Sequence, residues 1–75
     1  MAREINPSMR LVLYGILAGH DNMTIARDTR MNIQTVKDNV TKLLKRTGTK
    51  TRAQLIVLYY QAYIGLNILH SGDQQ

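Results

Sequence analysis

Cysteine is absent from these 75 residues, which excludes a disulfide scaffold and any thiolate metal site. Histidine is almost absent: His20 and His70 stand far apart with no ligand-spaced partner, and both read as surface or loop positions, so no metal is expected. Acids are few, five in all, and scattered singly, so no pair of carboxylates falls at helical spacing. No serine sits where a nearby histidine could activate it, and no glycine-rich phosphate loop follows a strand. An enzyme is not expected, nor a cofactor. Long apolar runs are also missing. Leu55 to Leu69 is interrupted by Gln61 and Asn67 and is shorter than the roughly 20 residues a bilayer span needs. The opening stretch MAREINPSMR has no apolar core and does not read as a signal peptide. One small domain over 1–75, cytoplasmic by default and without a membrane partner, is the expectation.

What the chain does have is positive charge, unevenly placed. The formal net charge is +5. Arg27, Arg30, Lys37, Lys42, Lys45, Arg46, Lys50 and Arg52 face only Asp28 and Asp38, a local balance of +6 that leaves −1 for everything else. Such a local excess attracts polyanions, because neutralising phosphates releases condensed counterions. Basic residues that merely keep a small domain soluble are the bland alternative, and their clustering in the middle third counts against it.

Four helices can be read from apolar spacing and from start and stop residues, and with no convincing strand the fold class is all-α. The first, over about 7–18, begins at Asn6-Pro7, where asparagine caps free amides and proline suits the first helical position. Met9, Val12, Leu13, Ile16 and Leu17 fall on one face, and Gly19 supplies a left-handed stop. Asp21 caps a short second helix, about 22–29, with Ile25 and Ala26 inward and a turn over Arg30 to Asn32. The third, about 33–46, carries Ile33, Val36, Val40, Leu43 and Leu44 as an inner stripe and stops at Gly48. Thr51 followed by Gln54 has the form of a capping box and opens the fourth, about 52–68. The tail over 70–75 reads as frayed.

The fourth helix, LIVLYYQAYIGLNIL, is apolar nearly all round, and three short helices can cover only one face of it. A second partner surface is implied, with Leu55, Leu58, Tyr59, Ala62, Tyr63 and Leu66 as its candidates. The alternative is that Tyr59, Tyr60 and Tyr63 simply lie on the domain with their hydroxyls outward.

A short helix, a tight turn and a longer basic helix form the helix-turn-helix arrangement, in which the second helix projects into the major groove. At 100° per residue, the outer stripe of helix three holds Gln34, Thr35, Asp38, Thr41, Lys42 and Lys45, with Lys37 and Arg46 on its shoulders. These are the side chains able to touch base edges or phosphates.

From Ile5 to Ile56 the chain resembles the LuxR-type (GerE/NarL-like) helix-turn-helix family. The matching elements are I-N-P (Ile5, Asn6, Pro7), V-L (Val12, Leu13), Gly19, N-x-x-I-A-R (Asn22, Ile25, Ala26, Arg27), T-V-K-x-x-V (Thr35, Val36, Lys37, Val40), K-L-L-K-R-x-G (Lys42 to Gly48) and R-x-Q (Arg52, Gln54). That resemblance implies a four-helix bacterial transcription-factor domain binding double-stranded DNA, paired as a homodimer through helix four and associated with the nucleoid. RNA polymerase or a related regulator is a further candidate partner. The family's DNA contacts map onto Lys37, Asp38 and Thr41. Its backbone contacts map onto Thr35, Lys42 and the Lys50 to Arg52 segment, and Lys45 joins the candidate set from the outer stripe.

Three departures stand out. Met9 replaces a capping-box acid, Arg30 replaces a turn glycine at a cost of about 1 kcal/mol if it is left-handed, and Asp38 puts an acid in the groove-facing slot. Asp38 has two readings. It accepts a hydrogen bond from cytosine N4, or it pairs along the helix with Lys42, worth a few tenths of a kcal/mol. The leading expectation is a sequence-specific transcriptional regulator acting as a dimer. The competing one is a protein-interaction module that pairs through helix four with a related regulator and blocks it. Binding to a membrane surface fits poorly, because the basic residues and the apolar surplus lie on different helices.

Overall fold

The computed structural model describes residues 6–73, with side chains over 6–65. Among the described residues the chain is all-helical: α1 (Pro7–Leu17), α2 (Asn22–Thr29), α3 (Ile33–Thr47) and α4 (Arg52–Asp73). The first three end within one residue of where their start and stop signals place them. The fourth continues to Asp73, past the expected end at 68 and through most of the segment read as a frayed tail. Nothing before Ser71-Gly72 disfavours helix strongly enough to stop it, and the stretch 52–73 contains no proline.

Each helix starts on a short polar side chain. Asn6 Oδ1 accepts from the Met9 amide at 2.8 Å, Asp21 Oδ1 from Thr24 at 2.8 Å, and Asn32 Oδ1 from Gln34 at 2.7 Å. These bonds satisfy amides that have no intrahelical partner. At α4, Thr51 Oγ1 accepts from the Gln54 amide, as a capping box requires. The return bond is shifted by one residue: Gln54 Oε1 accepts from the Lys50 amide at 2.8 Å. Met9, which lacks the expected acid's side-chain acceptor, is instead buried in the core at the third position of α1.

The stops of α1, α2 and α3 share one pattern. The Gly19 and His20 amides donate to the Ile16 and Gly15 carbonyls, Arg30 and Met31 to Arg27 and Ala26, and Gly48 and Thr49 to Lys45 and Leu44. This is the paired closure that requires a left-handed residue just past the helix. Gly19 (φ 86°) and Gly48 (φ 72°) take that conformation freely, whereas Arg30 (φ 61°) takes it with a Cβ. The turn has not been rebuilt to relieve Arg30. Its conformation turns the chain so that the next residue, Met31, packs against the core.

The core is Met9, Val12, Leu13 and Ile16 from α1, Ile25 from α2, Val36, Val40 and Leu43 from α3, and Leu55 from α4. Leu17 was expected inside but is partly in water at the end of α1. Helices α1 and α2 approach closely at Gly15, where an added Cβ would lie 2.5 Å from Ile25 Cγ1. One polar residue is buried as deeply as the apolar ones. Asn39 is only 6% exposed, and no buried side-chain nitrogen or oxygen among the described residues lacks a partner.

Candidate nucleic-acid interface

Burial orients α3. Val36, Asn39, Val40 and Leu43 are buried, while Ile33 and Leu44 are half-buried. Gln34, Thr35, Lys37, Asp38, Thr41, Lys42, Lys45 and Arg46 are exposed, and Thr47 at the end of the helix is half-buried. The expected inner stripe is therefore the buried one, with Asn39 added. Its polarity hid it from an apolar-spacing rule, although it falls at i+3 from Val36.

The Lys37, Lys42 and Lys45 side chains make no hydrogen bond or ion pair among the described residues. Thr41 is different: its hydroxyl donates back to the Lys37 carbonyl at 3.2 Å. The hydroxyl proton is thereby occupied, leaving the methyl group and an oxygen lone pair for any outside contact.

Of the two readings of Asp38, the pair along the helix with Lys42 is not formed among the described residues. Asp38 Oδ1 accepts instead from Gln34 Nε2 at 3.0 Å, one turn back along the outer face. Elsewhere a single acid, Asp28, lies near two basic side chains. Arg27 Nε lies 3.4 Å from Asp28 Oδ1, and His20 Nδ1 lies 4.0 Å from Asp28 Oδ2.

The connection from α3 to α4 is tied by side chains. The Thr47 hydroxyl reaches the Leu43 carbonyl at 2.9 Å and lies 2.9 Å from the Thr49 hydroxyl. Lys50 is exposed, its amide held by Gln54 and its ammonium unpaired among the described residues. Arg52 belongs to a different set. Its Nη1 donates to Asn22 Oδ1 at 2.5 Å and its Nη2 to the His20 carbonyl at 2.6 Å, with the side chain half-buried. It joins the start of α4 to the start of α2, so its fork is occupied inside the molecule. No local pattern could reveal this, because the partners lie thirty residues upstream.

The same junction affects Asp21. Hydrogen bonds from the Thr24 amide and side chain hold its carboxyl below the usual range, and the Arg27 and Arg52 charges add to that.

The apolar candidates of α4 divide between two environments. Leu55 is fully buried and is a core residue, which corrects its expected place on a partner surface. Tyr59 is half-buried against the core of its own chain. Leu58, Ala62 and Tyr63 are exposed, and the Leu66 side chain lies outside the described residues. Leu55, Tyr59, Ala62 and Tyr63 share one face of the helix; Leu55 and Tyr59 pack on the core, and Ala62 and Tyr63 are exposed. Val57, Tyr60 and Ile64, on the other side, are exposed as well. A 340 Å³ groove lined by Leu17, Ile56, Tyr59, Tyr60 and Tyr63 runs between α1 and α4.

No family model, curated protein or solved structure matches this chain. Among the described residues there is no group of side chains able to hold a metal ion, and no helix long and apolar enough to cross a membrane.

Proposed function

We propose that the chain is a LuxR-like helix-turn-helix domain that binds duplex DNA through α3 and pairs with a second copy through α4. The observation that carries this reading is the α3 surface. Lys37, Lys42 and Lys45 stand exposed and, among the described residues, unpaired, while the opposite side of the same helix is buried. Helix α2 and the three-residue turn before Ile33 brace it, as a projecting recognition helix needs. Lys50 extends the cationic surface beyond the C-terminal end of α3. Arg52 is not counted among the contacts, because its guanidinium bonds to Asn22 and His20.

A mobility-shift titration of the full chain on duplex DNA tests the reading. Affinity should fall steeply between 50 and 200 mM salt, as phosphate neutralisation requires. Affinity that stays level over that range contradicts it.

A second reading is supported by the breadth of the exposed apolar surface on α4, where Val57, Tyr60 and Ile64 stand out beside Leu58 and Tyr63. In that reading the chain pairs with a related regulator and blocks it. Leu58→Asp should abolish association in either scheme. Self-association that survives the substitution rules out pairing through this part of α4.

A further inference from the structure

Asp38 is the one acid on a face otherwise cationic or neutral, and its partner there is not a cation. Gln34 and Asp38, one turn apart on the exposed side of α3, are joined by a 3.0 Å bond from the amide nitrogen to carboxylate Oδ1. The bond fixes one oxygen of the carboxylate. It leaves Oδ2, together with the second lone pair of Oδ1, as acceptors with no protein donor among the described residues. Resting on the DNA-binding reading above, we propose that Gln34 and Asp38 form a two-residue specificity element, Gln34 as the positioning residue and Asp38 accepting the exocyclic amine of a cytosine in the major groove.

The choice of base follows from the donors and acceptors each base displays in the groove. A carboxylate only accepts. Guanine shows two acceptors, N7 and O6, and thymine shows O4 beside a methyl group, so both repel it or leave it unpaired. Adenine has an amine, but its N7 lone pair lies alongside and faces the carboxylate. Cytosine shows the N4 amine alone. A free aspartate on a helix surface samples several rotamers, and holding it in one geometry reduces the entropy lost on contact. The Gln34 bond supplies that preorganisation without neutralising the charge, which a lysine partner would have done. Thr41, with its hydroxyl turned back to Lys37, presents its methyl group one turn further along. It adds no competing donor to the slot.

The arrangement has a cost that makes it separable from a merely structural pair. A carboxylate approaching DNA is repelled by every phosphate, so it lowers affinity for all sequences and recovers the loss only at the right base. Enriching bound duplexes from a random pool, with the full-length wild type, Asp38→Ala, Asp38→Asn and Gln34→Ala in parallel, tests the proposal. Non-specific affinity and helix content by circular dichroism are measured on each.

The wild type should enrich a cytosine at one fixed position in each half-site. Asp38→Ala should lose that preference, on the order of tenfold, while binding non-specific duplex more tightly. Asp38→Asn should shift the preference to adenine, which asparagine reads through N6 and N7. Gln34→Ala should weaken the cytosine preference severalfold with unchanged helix content. An Asp38→Ala variant that enriches the same consensus as the wild type overturns the proposal and leaves DNA binding through α3 standing. So does an unchanged preference in Gln34→Ala, as far as the positioning role goes. A wild type that enriches no duplex at any salt overturns the DNA-binding reading and this inference with it.

Discussion

Arg30 adopts a left-handed backbone that glycine would take without strain, and it makes no cap bond that glycine could not make. Arg30→Gly should therefore raise stability by about 1 kcal/mol, read as a later midpoint in urea unfolding. An earlier midpoint would mean that the arginine side chain contributes more than its conformation costs. Gly15 is the reverse case. A methyl group there meets Ile25, which is fully buried and stiff at χ1, so Gly15→Ala should destabilise by roughly 1 kcal/mol or more despite alanine's better helix propensity.

Arg52 offers a sharper contrast. Arg52→Ala loses two charge-assisted bonds at a half-exposed junction and should cost about 1 kcal/mol while leaving the salt dependence of DNA binding unchanged. A shallower salt dependence would place the arginine on phosphate instead. The nearby Asp21 carboxyl sets a pH limit. Its folded value lies below the ordinary one, so the stability it contributes is present above the ordinary carboxylate range and is lost as pH falls through the folded value. Asp21→Asn keeps an N-cap and should lose less stability on acidification in thermal melts at neutral and acidic pH.

At the level of helices, what could be read from the chain was whatever acts locally. Asparagine, aspartate and threonine caps bond to amides two or three residues on, and glycines past α1 and α3 answer to a local conformational demand; these gave starts and stops within a residue or two. Three features escaped because their causes are not local. Asn39 is buried by neighbours from other helices, Arg52 by partners across the molecule, and Leu55 by the geometry that lays the first turn of α4 into the core. Leu55→Ala should cost roughly 2–5 kcal/mol as a cavity substitution. Tyr63→Ser, at an exposed position two turns further along the same helix, should barely move the unfolding midpoint yet weaken self-association in sedimentation. Equal effects of the two on stability would mean that α4 is packed along its whole length.

For the whole molecule, the uneven charge seen in the sequence becomes a division of surfaces. The cationic residues of α3 and the turn after it lie outward, away from the stripe that holds the bundle together, and the exposed apolar residues other than Met23 of α2 lie on α1 and α4. Two separate surfaces suit a domain that meets a polyanion with one and a protein with the other. The direct test is the slope of log affinity against log salt for duplex DNA, compared between wild type and a Lys37→Ala, Lys42→Ala, Lys45→Ala triple variant. Docking through α3 requires the slope to become shallower by about 3, near one unit for each phosphate contact removed. A triple variant that keeps the wild-type slope and affinity would contradict α3 as the DNA-binding element.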